Sequence, residues 1–171
     1  MIFQTPPLMV IDQPADNLHC GGLRLPPQFI IVHATQGTNS AHWLSTDSPL
    51  SNPVSAHRLI GKDGTLWKLV PDEVQAYHAG YGVIGSIGPG EAVNFNAVSL
   101  GVELENLNDG VDPYPPAQLA SCAAQIVEWW GKYGFLPVMS HAAIDWRKTD
   151  PFGLDWQALW AAIWENLQSK H

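Results

Sequence analysis

The sequence predicts an α/β domain, because a short buried strand, a hairpin and two amphipathic helices can be recognised along its 171 residues. The segment from Gln28 to His33 contains a continuous apolar run, as expected of a central strand that is covered on both faces. Apolar residues recur every three or four positions in 115–134 and in 155–167, which is the period of a helix. A chain of this length with 46% apolar residues can bury one hydrophobic core.

The organisation along the chain predicts one unit. No internal repeat, low-complexity block or change in composition marks a linker. We therefore predict a single domain over residues 1–171. Its core is expected at about residues 28–168 and is preceded by an N-terminal approach segment, residues 1–27.

The first predicted strand places a histidine at the edge of a sheet. His33 ends that strand, and α/β sheets tend to bind ligands where their strands end. A short helix is expected between Thr38 and Ser45. Further on, Ser55–Ile60 and Thr65–Val70 flank the turn residues Gly61–Gly64, which predicts a hairpin.

Another strand is predicted over Ser99–Glu105, where aliphatic and polar residues alternate. Glu103 and Glu105 therefore share one face, which is expected to line a site or meet solvent. The glycine-rich segment from Tyr81 to Glu91 has no periodicity and predicts a mobile loop. Gly80–Gly85 fits the dinucleotide fingerprint, but the glycines and proline that follow cannot open a phosphate-binding helix, so we reject that interpretation.

Two helices complete the prediction. The first begins after Pro115 and ends at Gly134, with Cys122 on its buried side. The second lies near the C-terminus and has Asp155 as a plausible N-cap. Its tryptophans recur at helical spacing and are expected in the core; they are Trp156, Trp160 and Trp164.

The composition excludes several classes of partner. Eight basic against sixteen acidic residues give a formal net charge of -8, the wrong sign for a protein that binds nucleic acid through its phosphates. No run of eighteen apolar residues occurs, so we expect no membrane span. Residues 1–7 lack the basic start and apolar stretch of a secretory signal, which predicts cytoplasmic synthesis without a signal peptide. We also expect a monomer in which Cys20 and Cys122 are free thiols.

Three distant side chains could form a metal site. His33, His141 and Asp150 supply two imidazoles and a carboxylate, which can hold a zinc ion and leave one coordination position open. The spacing alone does not decide this, because seven histidines offer many triples and no H-E-x-x-H motif occurs. The alternatives are hydrogen-bonded or solvent-facing histidines and a helix-capping Asp150. No G-x-S-x-G motif supports a serine nucleophile.

A series of short motifs resembles a known family over about Gln28 to Leu159. The motifs are Ile31-Val32-His33, Val54-Ser55-Ala56-His57, Gly61 to Gly64, His78-Ala79-Gly80, Ser99 to Glu105 and Arg147-Lys148-Thr149-Asp150-Pro151. In this order they resemble the zinc-dependent N-acetylmuramoyl-L-alanine amidases of the type-2 family. That family shares its fold with peptidoglycan recognition proteins and phage lysozyme-like amidases.

The resemblance implies a fold, an activity and a set of site residues. It implies a central mixed sheet flanked by helices, and hydrolysis of the amide between N-acetylmuramic acid and L-alanine in peptidoglycan or muropeptides. It assigns zinc to His33, His141 and Asp150, and transition-state roles to Glu103 and Lys148. It also favours His78 as a substrate-binding residue of the groove. Arg147 could bind a peptide carboxylate, although an ordinary surface charge is the alternative.

The two transition-state assignments have a physical rationale and a competitor each. Glu103 could take the proton of the attacking water and pass it to the departing amine. Glu105 lies on the same face and could do so instead. Lys148 could face the oxyanion that forms during attack, or could simply be a solvated cation. His57 is predicted to be a packed or hydrogen-bonded histidine of the sheet.

The biological setting stays open at this point. A phage or prophage lysin, which reaches the cell wall after release, and a cytoplasmic recycling enzyme both fit the pattern. A non-catalytic peptidoglycan-binding protein on the same fold is the alternative function, and such binders lack at least one metal ligand. A purely structural metal is a third interpretation.

Overall fold

Strands and helices are both present in residues 9–83 and 92–169, which the computed structural model of the chain describes. The strands are β1 Val10–Asp12, β2 Cys20–Leu23, β3 Phe29–Ala34, β4 Arg58–Ile60, β5 Leu66–Lys68, β6 Val74–Ala76, β7 Tyr81–Gly82, β8 Val93–Asn94, β9 Ser99–Leu104 and β10 Val138–Ser140. The helices are α1 Ser40–His42, α2 Phe95–Val98, α3 Pro116–Tyr133, α4 His141–Ile144 and α5 Trp156–Gln168, and a π-helical turn, Trp43–Asp47, follows α1. None of the helices in this part of the chain has the length and apolarity to cross a bilayer.

The main sheet is mixed, as the family resemblance implies, and its strand order is β1-β5-β4-β9-β3-β10. Strand β3 lies between β9 and β10 and is parallel to both. The predicted hairpin is confirmed, because β4 and β5 pair in antiparallel fashion around the turn. Its strands are shorter than predicted, and β3 extends one residue beyond His33, to Ala34.

Part of the predicted approach segment belongs to the sheets. Strand β1 pairs in parallel with β5 at the edge of the main sheet, and β2 pairs with β6 in a separate two-stranded sheet. Strands of three and four residues show too little periodicity to be recognised in the sequence. The assignment of one domain to the whole chain stays a prediction.

The largest core cluster lies between the main sheet and α3. Helix α3 buries Cys122, Ala123 and Ile126, which pack with Ile30 and Leu100 of the central strands. Both helices form where predicted, and the Asp155 carboxylate accepts a hydrogen bond from the amide of Ala158 at 2.9 Å. Both cysteines are free, as predicted, and Cys122 is buried. This core supports the sheet from the side of α3.

The predicted tryptophan core of α5 is wrong for Trp160 and Trp164, whereas Trp156 is partly buried and packs against the core cluster. Trp160 and Trp164 are 42% and 62% exposed, whereas Leu159 and Ile163 are almost completely buried. Helix α5 packs against the outside of α3, so only a narrow stripe of it meets the core. The tryptophans lie beside that stripe, and Trp160 stacks on Trp130 of α3 with ring centroids 6.3 Å apart.

The predicted mobile loop falls mostly outside the described residues. Residues 84–91 are not described. Tyr81 and Gly82 form β7, which pairs with β8. The rejected dinucleotide motif, Gly80–Gly85, lies partly in the same gap.

Candidate active site

Three neighbouring parallel strands bring the predicted site residues to one edge of the sheet. His33 is near the end of β3 and lies directly opposite Glu103 of β9 in the strand register. Strand β10 ends at Ser140, and His141 then begins α4. The carboxyl ends of adjacent parallel strands meet at one edge, which is where α/β sheets bind ligands.

The segment after His141 is tied back by short-range hydrogen bonds. The Ser140 hydroxyl accepts a bond from Ala143 N at 3.0 Å and so caps α4. The amide of Ala142 donates to the carbonyl of Asp150 at 3.0 Å. This backbone bond brings Asp150 beside the start of α4, although nine residues separate it from His141.

His33, His141 and Asp150 converge as the sequence analysis predicted. Asp150 Oδ2 lies 3.2 Å from His33 Nδ1 and 3.1 Å from His141 Nδ1, and the two nitrogens are 3.0 Å apart. All three side chains are buried, and they form a cluster that could hold a metal ion. Three ligands of a tetrahedral zinc ion at about 2.0–2.1 Å are separated by about 3.3 Å, so this nearly equilateral triangle fits such an ion.

The charge states of this cluster suit metal binding. Burial lowers the pKa of His33 to about 4, so its imidazole is neutral at neutral pH. Burial opposes ionisation of Asp150, but the neighbouring His141 and His33 rings outweigh it and hold the pKa of this carboxyl well below its usual range. The neutral His33 imidazole and the Asp150 carboxylate are therefore available as ligands beside His141.

Several buried polar atoms of the site have no partner among the described residues. They are Asp150 Oδ1, His141 Nε2 and Glu103 Oε2. A buried carboxylate oxygen without a hydrogen bond is costly, and native structures usually supply it with water, an ion or a ligand. The unsatisfied oxygens therefore support a site that binds a cation and polar reactants.

Glu103 and Glu105 differ in their surroundings although they share a strand face. Glu103 is 9% exposed, and burial, with a further contribution from Asp150, raises its pKa to about 8, while Lys148 opposes this rise. Glu105 is partly exposed beyond the end of β9 and accepts a hydrogen bond from the amide of Asn39. Only Glu103 of the two lines the cavity described next.

A cavity of about 230 Å³ opens over the cluster. Glu103 and Lys148 line it together with the three metal-competent side chains. Its wall also includes Thr35, Gln36, Trp43, Val54 and Tyr77, and the indole of Trp43 is half exposed. The cavity can therefore present acidic, basic and aromatic groups to one reactant.

Comparison with known proteins identifies the family. A sequence profile described as N-acetylmuramoyl-L-alanine amidase matches residues 23–153, which is most of the chain. The chain belongs to this family. A search of curated proteins gave no match. The amidase is also similar to solved structures of enzymes with that activity.

Three of these structures illustrate the similarity. The amidase shares its fold with a selenomethionine derivative of AmpD, with a TM-score of 0.74 and 23% identity over 94% of this chain and 96% of that chain. The amidase AmiD from E. coli, in complex with anhydro-N-acetylmuramic acid-L-Ala-D-gamma-Glu-L-Lys, gives a TM-score of 0.65 and 27% identity over 81% and 58%. The amidase LysC from Clostridium intestinale gives 0.64 and 21% over 92% and 97%. The predicted α/β fold and the predicted hydrolase class are confirmed.

Two other histidines of the amidase lie behind the metal-competent cluster. His78 Nδ1 is 2.9 Å from His33 Nε2, and His78 Nε2 is 3.3 Å from the hydroxyl of Ser99. His57 is completely buried; its Nδ1 accepts from Gly101 N and its Nε2 donates to Val74 O. His57 is therefore a hydrogen-bonded histidine of the sheet, as predicted. The contact between Ser99 and His78 could not be predicted from the sequence, because the two residues lie 21 positions apart in the chain.

Arg147 lies apart from the cluster of the amidase. It lines a second cleft, of about 450 Å³, with Tyr81 and Trp146 on the other side of α4. Its guanidinium donates two hydrogen bonds of 2.8 Å to Asp145, and its side chain is 63% exposed. The structure thus brings every predicted site residue except Arg147 into one cavity.

Asn108 also contributes to the site, although no pattern in the sequence indicates this residue. Its Nδ2 donates to Thr149 Oγ1 at 3.0 Å, and its Oδ1 accepts from Phe152 N at 2.6 Å. These bonds hold the chain on both sides of Asp150. An asparagine in a polar loop carries no signal for such a contact, which spans more than forty residues.

Proposed function

We propose that this amidase is zinc-dependent and hydrolyses the amide bond between N-acetylmuramic acid and L-alanine in peptidoglycan or its soluble fragments. The observation that carries the proposal is the triangle of His33 Nδ1, His141 Nδ1 and Asp150 Oδ2, beside a cavity that Glu103 and Lys148 also line. AmiD was solved with a muramyl peptide, which supports a substrate of that class.

The donor set favours zinc as the ion. His33, His141 and Asp150 would hold it, and two neutral imidazoles with one carboxylate are common ligands of catalytic zinc. When bound, zinc supplies Lewis acidity, which lowers the pKa of water and polarises an amide carbonyl. Within residues 9–83 and 92–169, three side chains form the metal-competent cluster, so a fourth position of a bound zinc ion would be available to reactants.

Glu103 is proposed to move the proton. Amide hydrolysis needs a group that takes a proton from the attacking water and returns one to the leaving nitrogen. The Glu103 carboxyl lines the cavity, and its Oε2 has no hydrogen-bond partner within the described part of the chain. Its position opposite His33 in the strand register supports a role beside the proposed metal.

Lys148 is proposed to stabilise the oxyanion of the tetrahedral intermediate. The amide of Lys148 donates to the carbonyl of Asp145 at 2.9 Å, which fixes its backbone two residues before Asp150. Its exposed side chain lines the cavity. An ammonium group placed at that wall would act on charge that develops at the former carbonyl oxygen.

Substrate binding by His78 and Arg147 stays a prediction. Both ring nitrogens of His78 already have partners in the described residues, which leaves only its ring surface for a substrate. The Arg147 guanidinium is paired with Asp145 and lies in the second cleft. Trp43 and Tyr77 line the cavity and offer aromatic surface for the sugar or the peptide.

The direct test is hydrolysis of a defined muropeptide by the purified, zinc-loaded protein. Release of free stem peptide and the muramyl sugar, measured by chromatography and mass spectrometry, is the expected result. Binding without release would favour the non-catalytic alternative and overturn the proposal. Comparison of intact sacculi with anhydro-muropeptides then separates a lysin from a recycling enzyme, because the two settings supply different substrates.

Chelation tests the alternative of a structural metal. Removal of zinc from a catalytic site should abolish turnover and leave the fold largely intact. Removal from a structural site should unfold the domain, since metal binding would then supply folding free energy. Far-ultraviolet circular dichroism before and after chelation distinguishes the two.

A further inference from the structure

The second ring nitrogen of His33 meets a chain of buried polar groups. His33 Nε2 lies 2.9 Å from His78 Nδ1, and His78 Nε2 lies 3.3 Å from Ser99 Oγ. Ser99 Oγ lies 2.6 Å from the backbone carbonyl oxygen of Phe95. We propose that His78 and Ser99 are positioning residues that fix the tautomer of His33, so that its Nδ1 presents a lone pair to the metal. This inference rests on the zinc site of the proposed function.

The direction of the chain follows from its last member. A carbonyl oxygen can only accept, so the Ser99 hydroxyl must donate its proton to Phe95 O. The lone pairs of Ser99 Oγ then face His78, so His78 Nε2 must carry a proton and donate it. A neutral His78 has its lone pair on Nδ1, which leaves His33 Nε2 as the donor to it. His33 Nδ1 consequently carries no proton and faces His141 and Asp150.

Burial favours the neutral state of this chain. His33, His78 and Ser99 are all buried. A second proton, on Nδ1 of His78, would place a positive charge among these buried groups, which is costly. The neutral ring is therefore the one that completes the chain.

Gly101 makes this arrangement sterically possible. A Cβ atom at residue 101 would lie 2.5 Å from Cγ of His78, closer than real Cβ atoms approach a neighbour. The missing side chain lets the His78 ring lie against β9 and reach His33 on the adjacent strand. The neighbouring His57 ring receives the Gly101 N–H instead, so it does not compete for the nitrogens of His78.

A hydrogen-bonded partner strengthens metal binding by a histidine, because it sets the orientation and basicity of the ring before the metal binds. Loss of such a hydrogen-bonded partner typically weakens metal affinity by about 10–100-fold. A residue that only binds substrate would change KM and leave metal affinity alone. Metal affinity therefore separates the positioning role of His78 from the predicted substrate-binding role.

The test measures zinc affinity by competition with a chromophoric chelator, with folding checked by circular dichroism. His78→Phe should weaken zinc binding by about 10–100-fold, and Ser99→Ala by about tenfold or less. His78→Gln keeps an acceptor for the His33 N–H and should recover part of the affinity. If His78→Phe does not fold, Ser99→Ala and His78→Gln decide the matter.

Ser121→Ala is the matched control. Ser121 is a buried serine of α3, and its hydroxyl donates to the carbonyl of Gly64 at 2.7 Å. Its replacement removes the same type of bond far from the site, so it should reduce stability and leave zinc affinity unchanged. Equal zinc affinity in Ser99→Ala and Ser121→Ala, together with wild-type affinity in a folded His78→Phe, would overturn the inference; if His78→Phe does not fold, the comparison of the two serine variants is decisive.

A spectroscopic measurement tests the tautomer itself. In metal-free wild type, long-range ¹⁵N–¹H correlation spectra should show His33 protonated at Nε2 alone. Ser99→Ala should populate the second tautomer. Protonation of His33 at Nδ1 in the wild type would contradict the inference even if zinc binds and the substrate is cleaved. Failure of the wild type to bind zinc would instead contradict the proposed function.

Discussion

Asn108 Oδ1 accepts a hydrogen bond of 2.6 Å from the backbone amide of Phe152, and through this bond a loop before α3 holds the chain just after Asp150. The amide group of the same side chain binds Thr149, just before Asp150. The carboxylate of the metal-competent cluster is thus oriented by a residue that does not touch it. Stability and metal affinity should be coupled at this position.

Asn108→Gly tests that coupling. Asn108 has a φ of 57°, in the left-handed region, and glycine adopts this conformation without strain, so the variant removes only the two side-chain bonds. We expect the free energy of unfolding to fall by about 1–3 kcal/mol and zinc affinity to fall as well. Denaturant titration and chelator competition measure the two effects.

Asn39→Gly is the control for Asn108. Asn39 has a φ of 56° and its side chain makes no cap bond to α1. The Asn39→Gly variant should leave zinc affinity unchanged. An equal loss of zinc affinity in both variants would argue against the role of Asn108.

Asp150→Ala should lower zinc content and turnover together. The change removes the only carboxylate of the triangle, so we expect zinc affinity to fall by more than the roughly 10–100-fold loss typical of an outer hydrogen-bonding partner. Zinc content by atomic emission and hydrolysis of a muropeptide are the measurements. Asp155→Ala removes the cap of α5 and should cost about 1 kcal/mol of stability with full zinc content. Normal turnover with full zinc content in Asp150→Ala would refute the ligand assignment.

Glu103→Gln should lower kcat while zinc stays bound. The amide keeps the shape of the side chain but cannot take up a proton, so a loss of about 10²–10⁴-fold in kcat is expected. Glu105→Gln changes the carboxyl that instead accepts a bond from Asn39, and it should keep turnover near wild type. Loss of turnover only in Glu105→Gln would exchange the two roles.

Lys148→Met should lower kcat with little change in KM. Methionine keeps the apolar stem and removes the charge that is proposed to face the oxyanion, and a loss of about 10²–10³-fold is expected. Lys132→Met is the comparison, because Lys132 forms ion pairs with Asp72 and Glu73 outside the site. Steady-state kinetics on a muropeptide should leave Lys132→Met unchanged. A shift in KM alone for Lys148→Met would make Lys148 a binding residue.

Stability should depend on pH through the pair of Asp16 and His19. His19 Nδ1 is 2.6 Å from Asp16 Oδ1, and its Nε2 is 2.8 Å from the carbonyl of Ser48. The hydrogen bond to Asp16 raises the pKa of His19, against the effect of burial, and the bond to His19 lowers the pKa of Asp16. The stabilisation by His19 is therefore complete below its ordinary pKa of 6.5 and is lost as the pH rises through the raised folded value.

Asp16→Asn isolates this effect. At acid pH, the contribution of Asp16 is present above its ordinary pKa of 3.8 and disappears as the pH falls through the lowered folded value. Denaturation midpoints of wild type and variant should differ most between the ordinary pKa values of Asp16 and His19, 3.8 and 6.5. They should converge as the pH rises through the raised pKa of His19. A constant difference across that range would show that His19 is neutral in the folded protein.

The sequence predicts an element of the fold correctly where its pattern of apolar residues matches the face that the folded protein buries. The 3.6-residue period gives α3, and the apolar run before His33 gives β3, because both elements are buried as their patterns require. For α5 the period is right, and Leu159 and Ile163 are buried in the contact with α3, but the larger Trp164 of the same pattern meets solvent. Packing decides between neighbouring stripes of one helix, and periodicity does not.

The site shows the same division. Residue types and family motifs together point to His33, His141 and Asp150, and the geometry brings them together. Ser99 and Asn108 are different, because each acts through a hydrogen bond to a residue 21 to 44 positions away. Serine and asparagine are common in loops and at strand ends, so neither identity nor spacing distinguishes them there.

The facing positions of His33 and Glu103 have a consequence for the nascent chain. A slip of one residue between two paired strands turns side chains to the opposite face, so the pair can meet only in the native register. His141 and Asp150 lie 38 and 47 positions after Glu103, so they join the pair only after this further part of the chain has been synthesised and folded. A polypeptide that is incomplete, or paired in the wrong register, therefore lacks the assembled set of side chains that is proposed to carry out hydrolysis.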